Sequence, residues 1–227
     1  ADIVSLLMMQ DGAQMADDSG YATFDKIPAA LAATRNIPPG LEALSFYIDF
    51  ASPSKEVYTW NNKMPRSIDA FIQGKTAFFF GYSYHLPLIR AQAPKLNFSI
   101  AKAPQIVGNP EMNFANYWVY SVLKKTPHPN EAWDFVEYMT DAKNVVLYLN
   151  KAKRPTALRS LISGQLEDLD LGVFAAEILT AKSWYRGRDG VVAANVLVEM
   201  IDNAVSGMYE LKEVMELAAQ KINQTIR

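Results

Sequence analysis

The chain has 227 residues, no cysteine and only two histidines, His85 and His128. The missing cysteines exclude disulfides, thiolate metal sites and cysteine nucleophiles, while leaving the compartment open. A zinc site would need carboxylates to complete it, and none stand at a recognisable spacing from either histidine, so no metal and no cofactor is expected. No apolar run approaches the ~20 residues a membrane-spanning helix needs. A Gly-x-Ser-x-Gly nucleophile elbow is also missing. Gly187-Arg188-Asp189-Gly190 reads as a turn rather than a phosphate-cradling loop. The acidic pairs Asp17-Asp18 and Asp168/Asp170 sit in polar loops or helix starts, where capping and solvation account for them. These absences call for no enzyme.

What is present is an ordinary globular balance, half apolar and a fifth charged, with a net charge of −2. The charge is uneven. Residues 1–60 carry three Lys/Arg against eight Asp/Glu, 61–160 carry thirteen against six, and 161–227 carry six against ten. The basic middle has no Arg-rich run and no nucleic-acid motif, so no nucleic-acid partner is expected.

Periodicity predicts helices over 2–10, stopped by Asp11-Gly12, and over 41–48, where Leu41, Leu44, Tyr47 and Ile48 recur. A short helix follows from Ser67 to Gln73, another from Leu86 to Ala93, and a long helical stretch begins at Pro129 and carries Trp133 and Val136 on a core face. A short helical piece is expected at 157–162. Residues 191–205 form a helix with Val198, Ile201 and Val205 on its apolar side, stopped by Gly207. The last helix carries the stripe Leu211, Val214, Met215, Ala218, Ile222 and Ile226. Three strands are expected: Thr76–Phe80, buried; 96–100, alternating at Leu96, Phe98 and Ile100; and the aromatic, β-branched run 113–125. The class is α/β, with too few strands for a complete two-lobed protein. A helical pattern is already under way at Ala1, so the chain reads as part of something longer.

Aromatic residues gather at chain breaks: Trp60 in "YTWNN", Tyr82 and Tyr84 around Ser83 after Gly81, Trp118 in "NYWVY", and Trp184-Tyr185 in "KSWYRGRDG". Flat rings with polar edges suit stacking on the apolar faces of sugars, with amides and charges such as Asn116 and Arg186 bonding the hydroxyls.

The order of these segments resembles the C-terminal half of the family 1 extracellular solute-binding proteins, the maltose-binding-protein-like receptors of ABC importers. "DAFIQGKTAFFFGYSY" resembles the family's Phe-x-x-Gly-Lys-x-Ala stretch leading into a strand and a ligand-facing loop. "KLNFSIAKAPQ", "NFANYWVYSVLKKTPHPNEAWDFVEYMT", "KRPTALRSL" and "VEMIDNAVSGMYELKEVMELAAQKINQTI" resemble the segments that follow, in order. Asn116-Tyr117 stands where the family has Gly-Gly, and Phe79 where it often has Met.

The resemblance implies a periplasmic-binding-protein-like (type II) fold. Residues 1–115 and 155–227 would belong to the C-terminal lobe, and 116–154 would cross a hinge and add a strand and helix to the N-terminal lobe. It implies a non-catalytic receptor that captures a small solute, a sugar or oligosaccharide, and passes it to the transmembrane subunits of an ABC permease. Such a receptor would be a periplasmic or extracytoplasmic monomer, with any lipid anchor outside this sequence. Its ligand-binding residues would be Trp60, Tyr82, Ser83, Tyr84, Asn116, Trp118, Trp184, Tyr185 and Arg186. If 116–154 docks on an absent lobe, the surface around Trp133, Phe135 and Val136 would be apolar and exposed. Three alternatives stay open: the same fold with ferric iron on Tyr82 and Tyr84 or a polyamine on acidic groups, an accessory domain of a carbohydrate-active enzyme, and an interaction module whose aromatics are core.

Overall fold

A computed structural model describes residues 1–226, and the chain folds as two compact units. The first comprises residues 1–65, 104–114 and those from Lys182 onward; the second comprises Arg66–Ala103 and Ala115–Ala181.

Among the described residues, four α-helices build the first unit: α1 (Asp2–Gln10), α2 (Pro39–Asp49), and, late in the chain, α9 (Gly190–Ser206) and α10 (Leu211–Gln224). They close over Val4, Met8, Phe24, Leu44, Leu197, Met200, Met215 and Ile222, all essentially inaccessible to water. Local chemistry explains their ends. The Gly12 and Ala13 amides donate back to Met9 and Met8 as Gly12 turns to positive φ. Asp189 caps α9 by accepting from the Val191 and Val192 amides, and Gly207 ends it at φ +65°. The expected stripe on α10 is buried at Val214, Met215, Ala218 and Ile222. On α9 the buried side is Ala193, Val196, Leu197, Met200 and Ala204, and Val198 is 48 % exposed. Most of α9 is apolar, so periodicity alone could not choose its inner face.

Two side-chain amides staple distant backbone onto this core. Gln10, buried, donates from Nε2 to the Pro104 and Met112 carbonyls at 2.9 and 3.1 Å. Asn223 brackets Ala22, accepting its N–H at 2.6 Å and donating to its carbonyl at 3.2 Å.

The second unit carries α3 (Ser67–Ile72), α4 (His85–Gln92), α5 (Pro129–Thr140), α6 (Ala142–Ala152), α7 (Ile162–Gln165) and α8 (Gly172–Glu177). Its buried apolar residues include Ile68, Ala70, Leu86, Ile89, Leu149, Leu171 and Ala175. Where one helical stretch was expected from Pro129, Asp141 leaves helical geometry and accepts the Lys143 amide, so α5 ends and α6 begins there. Trp133, expected on a core face, is instead 51 % exposed on α5.

The expected strands are the main correction. Among the described residues the paired strands are β1 (Asn113–Phe114) and β2 (Ala181–Lys182), with an isolated bridge between Ala16 and Ala22. Thr76–Phe80 joins no ladder, and Phe78 is 89 % exposed rather than buried. Residues 96–100 also lack a ladder, yet Leu96, Phe98 and Ile100 are half-buried while Asn97 and Ser99 are exposed. The period-two pattern therefore survives in the burial. A strand needs a neighbouring edge to take up its N–H and C=O groups, and a sequence pattern alone does not supply one.

Candidate functional site

The predicted ligand-facing residues fall into two groups, one in each unit. In the second unit, α3 ends at Gly74 and the chain doubles back, the Lys75 amide donating to the Ala70 carbonyl. The Phe71 ring then meets Phe79 at 5.8 Å and Phe98 edge-on at 5.9 Å. Phe79 in turn presents itself to the His85 imidazole, edge to face at 5.3 Å. Between them runs Gly81, where a Cβ would lie 2.5 Å from the Phe79 ring and 3.1 Å from His85 Nδ1. Glycine alone lets the backbone pass.

His85 opens α4, and its ring is the hub of this group. The Tyr82 amide donates to Nδ1 at 2.9 Å, while the His85 amide donates to the Tyr82 carbonyl at 3.0 Å. The Tyr82 and Tyr84 rings are stacked, 5.4 Å apart and 19° from parallel, and the Tyr84 ring lies 4.2 Å from the imidazole. Ser83, between them, is buried, and Tyr84 is 45 % exposed. Burial pushes the His85 pKa below its ordinary value, a hydrogen bond with the Tyr82 backbone opposes it, and the positive charge of Arg66 acts with burial. Asn116 is exposed in the same unit, and Trp118 is 90 % exposed.

In the first unit, Trp184 is half-buried against the core. Its ring meets Phe24 edge-on at 6.0 Å, and its Nε1 donates to Ser5 Oγ at 3.4 Å. The Arg186 guanidinium lies over both Trp184 and Phe114, at 5.7 and 5.5 Å from the ring centres, and pairs with Asp2 at 2.8 Å. Tyr185 is exposed and lies against Gly20, where a Cβ would come within 2.9 Å of its ring. Trp60 belongs to this unit too, but its indole N–H serves its own loop, donating to the Pro65 carbonyl at 3.1 Å.

Of the acidic pairs, Asp17 and Asp168 hold local turns. Asp17 accepts the Ser19 and Tyr21 amides. Asp168 accepts those of Asp170 and Leu171, which hold its carboxyl below the usual range. Among the described residues no group of three or more His, Cys, Asp or Glu is placed to hold a metal ion. No helix is long and apolar enough to cross a membrane. What the two groups present is ring faces, phenolic hydroxyls and a guanidinium, which bind by stacking and hydrogen bonding. Sequence reasoning missed His85 as the organiser of Tyr82 and Tyr84. The signal open to it was a histidine at a helix start, three residues after a tyrosine.

Comparison with known proteins follows this geometry. A family model described as bacterial extracellular solute-binding protein matches residues 1–146. The crystal structure of an ABC transporter solute-binding protein from Thermotoga lettingae, bound with α-D-tagatose, superposes with a TM-score of 0.67 at 17 % identity, covering 100 % of this chain and 56 % of that one. The cyclic α-maltosyl-1,6-maltose-binding protein from Arthrobacter globiformis superposes at 0.68 and 15 % identity, covering 98 % of this chain and 55 % of that one. At such identities the likeness is one of fold: this chain takes the fold of part of a periplasmic solute-binding protein and spans little more than half the length of these structures. A comparison with curated proteins found no match.

Proposed function

Since its family match covers well over half its length, the chain belongs to the bacterial extracellular solute-binding proteins, and on that premise we propose that it is a non-catalytic receptor for a sugar or oligosaccharide, serving an ABC importer. The observation that carries the sugar reading is the stacked Tyr82–Tyr84 pair, exposed at Tyr84, beside the buried Ser83. Such a platform offers a flat apolar face with hydroxyls at its edge, matching the alternating apolar faces and hydroxyl rims of pyranose rings. The similar structures, one bound with α-D-tagatose and one of a cyclic α-maltosyl-1,6-maltose-binding protein, support the class.

In this reading residues 1–115 and 155–227 form one lobe and 116–154 crosses to a second. Closure of the lobes about a hinge buries the ligand, and the closed form is what the permease subunits recognise. The receptor works as a monomer outside the cytoplasm. Asn116, Trp118, Tyr185 and Arg186 are the further ligand contacts in this reading. Trp60 and Trp184 contribute less, because their indole N–H groups already have partners.

Isothermal titration of the chain with a panel of mono- and oligosaccharides tests this. Saturable binding is expected, and Tyr84→Ala should weaken it by about 1–3 kcal/mol, the range for burying an aromatic ring. No heat with any sugar, together with a charge-transfer band on adding ferric iron or a response to a polyamine, would overturn the sugar assignment.

A further inference from the structure

We propose that His85 is a positioning residue for the Tyr82–Tyr84 pair: its neutral Nδ1 accepts the Tyr82 amide and holds the two rings stacked, and protonation of the imidazole releases them. For its effect on ligand the inference rests on the sugar-binding reading, but its effect on the rings does not.

The geometry leaves the ring little choice. The Tyr82 amide precedes α4, and its 2.9 Å bond to Nδ1 ties the turn to the imidazole. An imidazolium carries a proton on both ring nitrogens. On protonation two N–H groups would face each other across that 2.9 Å, and attraction becomes repulsion. The ring cannot swing aside cheaply. Phe79 stands edge-on at 5.3 Å, the Tyr84 ring lies at 4.2 Å, and the Gly81 backbone passes so close that even a methyl group there would sit 3.1 Å from Nδ1. The turn from Gly81 to Tyr84 must therefore open, carrying both tyrosines with it.

Burial favours the neutral ring and outweighs the contact with the Tyr82 backbone, which acts the other way. The charged group acting on His85 is Arg66, which is positive and opposes a second positive charge. The other rings about it, Tyr82 and Tyr84, carry phenol groups. With the folded pKa lowered, the folded state binds fewer protons than the unfolded one wherever the imidazole titrates. The turn's stability is therefore complete above the ordinary histidine value of about 6.5 and is lost as pH falls through the folded value.

The test compares the full chain with His85→Asn, whose amide oxygen can accept the Tyr82 N–H but does not titrate, and with His85→Phe, which keeps a ring and loses the acceptor. Near-ultraviolet circular dichroism of the tyrosines is followed from about pH 8 to about pH 5, where imidazoles change charge. Far-ultraviolet spectra check that the helices stay folded. The wild-type tyrosine signal should change in one step whose midpoint coincides with the His85 titration seen by proton NMR, a resonance identified by its loss in the variants. His85→Asn should keep the neutral-pH signal and lose the step, and His85→Phe should lack that signal at every pH. A wild-type signal that stays flat while His85 titrates, or a step that persists in His85→Asn, overturns the proposal. Sugar affinity should fall along the same step in the wild type and be pH-independent in His85→Asn. A spectral step with no sugar binding at any pH sinks the receptor reading and leaves the positioning role standing. Sugar binding without the step does the reverse.

Discussion

Asp25 shows what a single residue costs when its surroundings leave it short of partners. Its Oδ1 is inaccessible to water and accepts no hydrogen bond, and burial raises its carboxyl pKa above the ordinary value. The sign follows from proton counting. A raised pKa means the folded state binds more protons than the unfolded one, so the associated stability is present below the ordinary aspartate value of about 3.9 and is lost as pH rises through the folded value. At neutral pH the charged carboxylate is a liability, moderated because the residue is only half-buried. Asp25→Asn should therefore raise the midpoint of thermal unfolding at neutral pH, and the gain should shrink as the pH is brought toward 4. An equal or lower midpoint at neutral pH would mean that Asp25 has a donor in solution. Little of this was legible beforehand, since the sequence shows an aspartate in a loop and burial is a property of the folded neighbourhood.

Among the elements, α2 is held at a distance that only glycine permits. A Cβ on Gly40 would lie 2.2 Å from the Phe24 carbonyl oxygen, a backbone atom that cannot turn away. Two effects oppose each other in Gly40→Ala. Alanine's helix propensity favours the variant by up to about 1 kcal/mol, whereas forcing α2 off Phe24 costs about 1–3 kcal/mol or more, as overpacking does. The clash wins, and denaturant unfolding should show a net loss of at least about 1 kcal/mol. A stabilised variant would show that α2 does not approach Phe24 so closely. The element itself was predictable: the recurrence of Leu41, Leu44, Tyr47 and Ile48 marks α2, and Pro39 in its first turn marks its start. Its docking distance was not, because Gly40 and Phe24 are separated in the sequence and meet only in the fold.

Taken whole, the second unit leaves much apolar surface uncovered. Trp118, Val119, Tyr120 and Leu123 are exposed on one stretch, and Trp133, Phe135, Tyr138, Leu147 and Tyr148 on α5 and α6. The sequence expectation of an open apolar surface at Trp133 and Phe135 agrees with this, while Val136 is half-buried. Contiguous apolar patches beyond a few hundred Å² are rare on soluble monomers and mark interaction surfaces. The chain should bind a hydrophobic dye more strongly than a fully packed protein of its size. The double substitution Trp133→Ser, Phe135→Ser should cut that signal without lowering the unfolding midpoint. A dye signal already at the level of a well-packed protein, or a large drop in midpoint on substitution, would place these rings in a core instead.

The sequence by itself determined most of the helices and their stops, because helical hydrogen bonds join residues four apart and both partners lie within one readable window. It also determined where the aromatic residues gather, since Gly81 and the breaks around Trp118 and Trp184 are local signals. The alternation at Leu96, Phe98 and Ile100 was legible in the same way, and it persists in the burial without a ladder. Only the tertiary structure decided which of these became strands, because a ladder needs an edge contributed from elsewhere in the chain. It likewise turned Trp133 outward, set Trp184 edge-on against Phe24, and made His85 the acceptor for the Tyr82 amide. Each of these outcomes depends on what lies across space from a side chain, and residue order constrains that only through the fold.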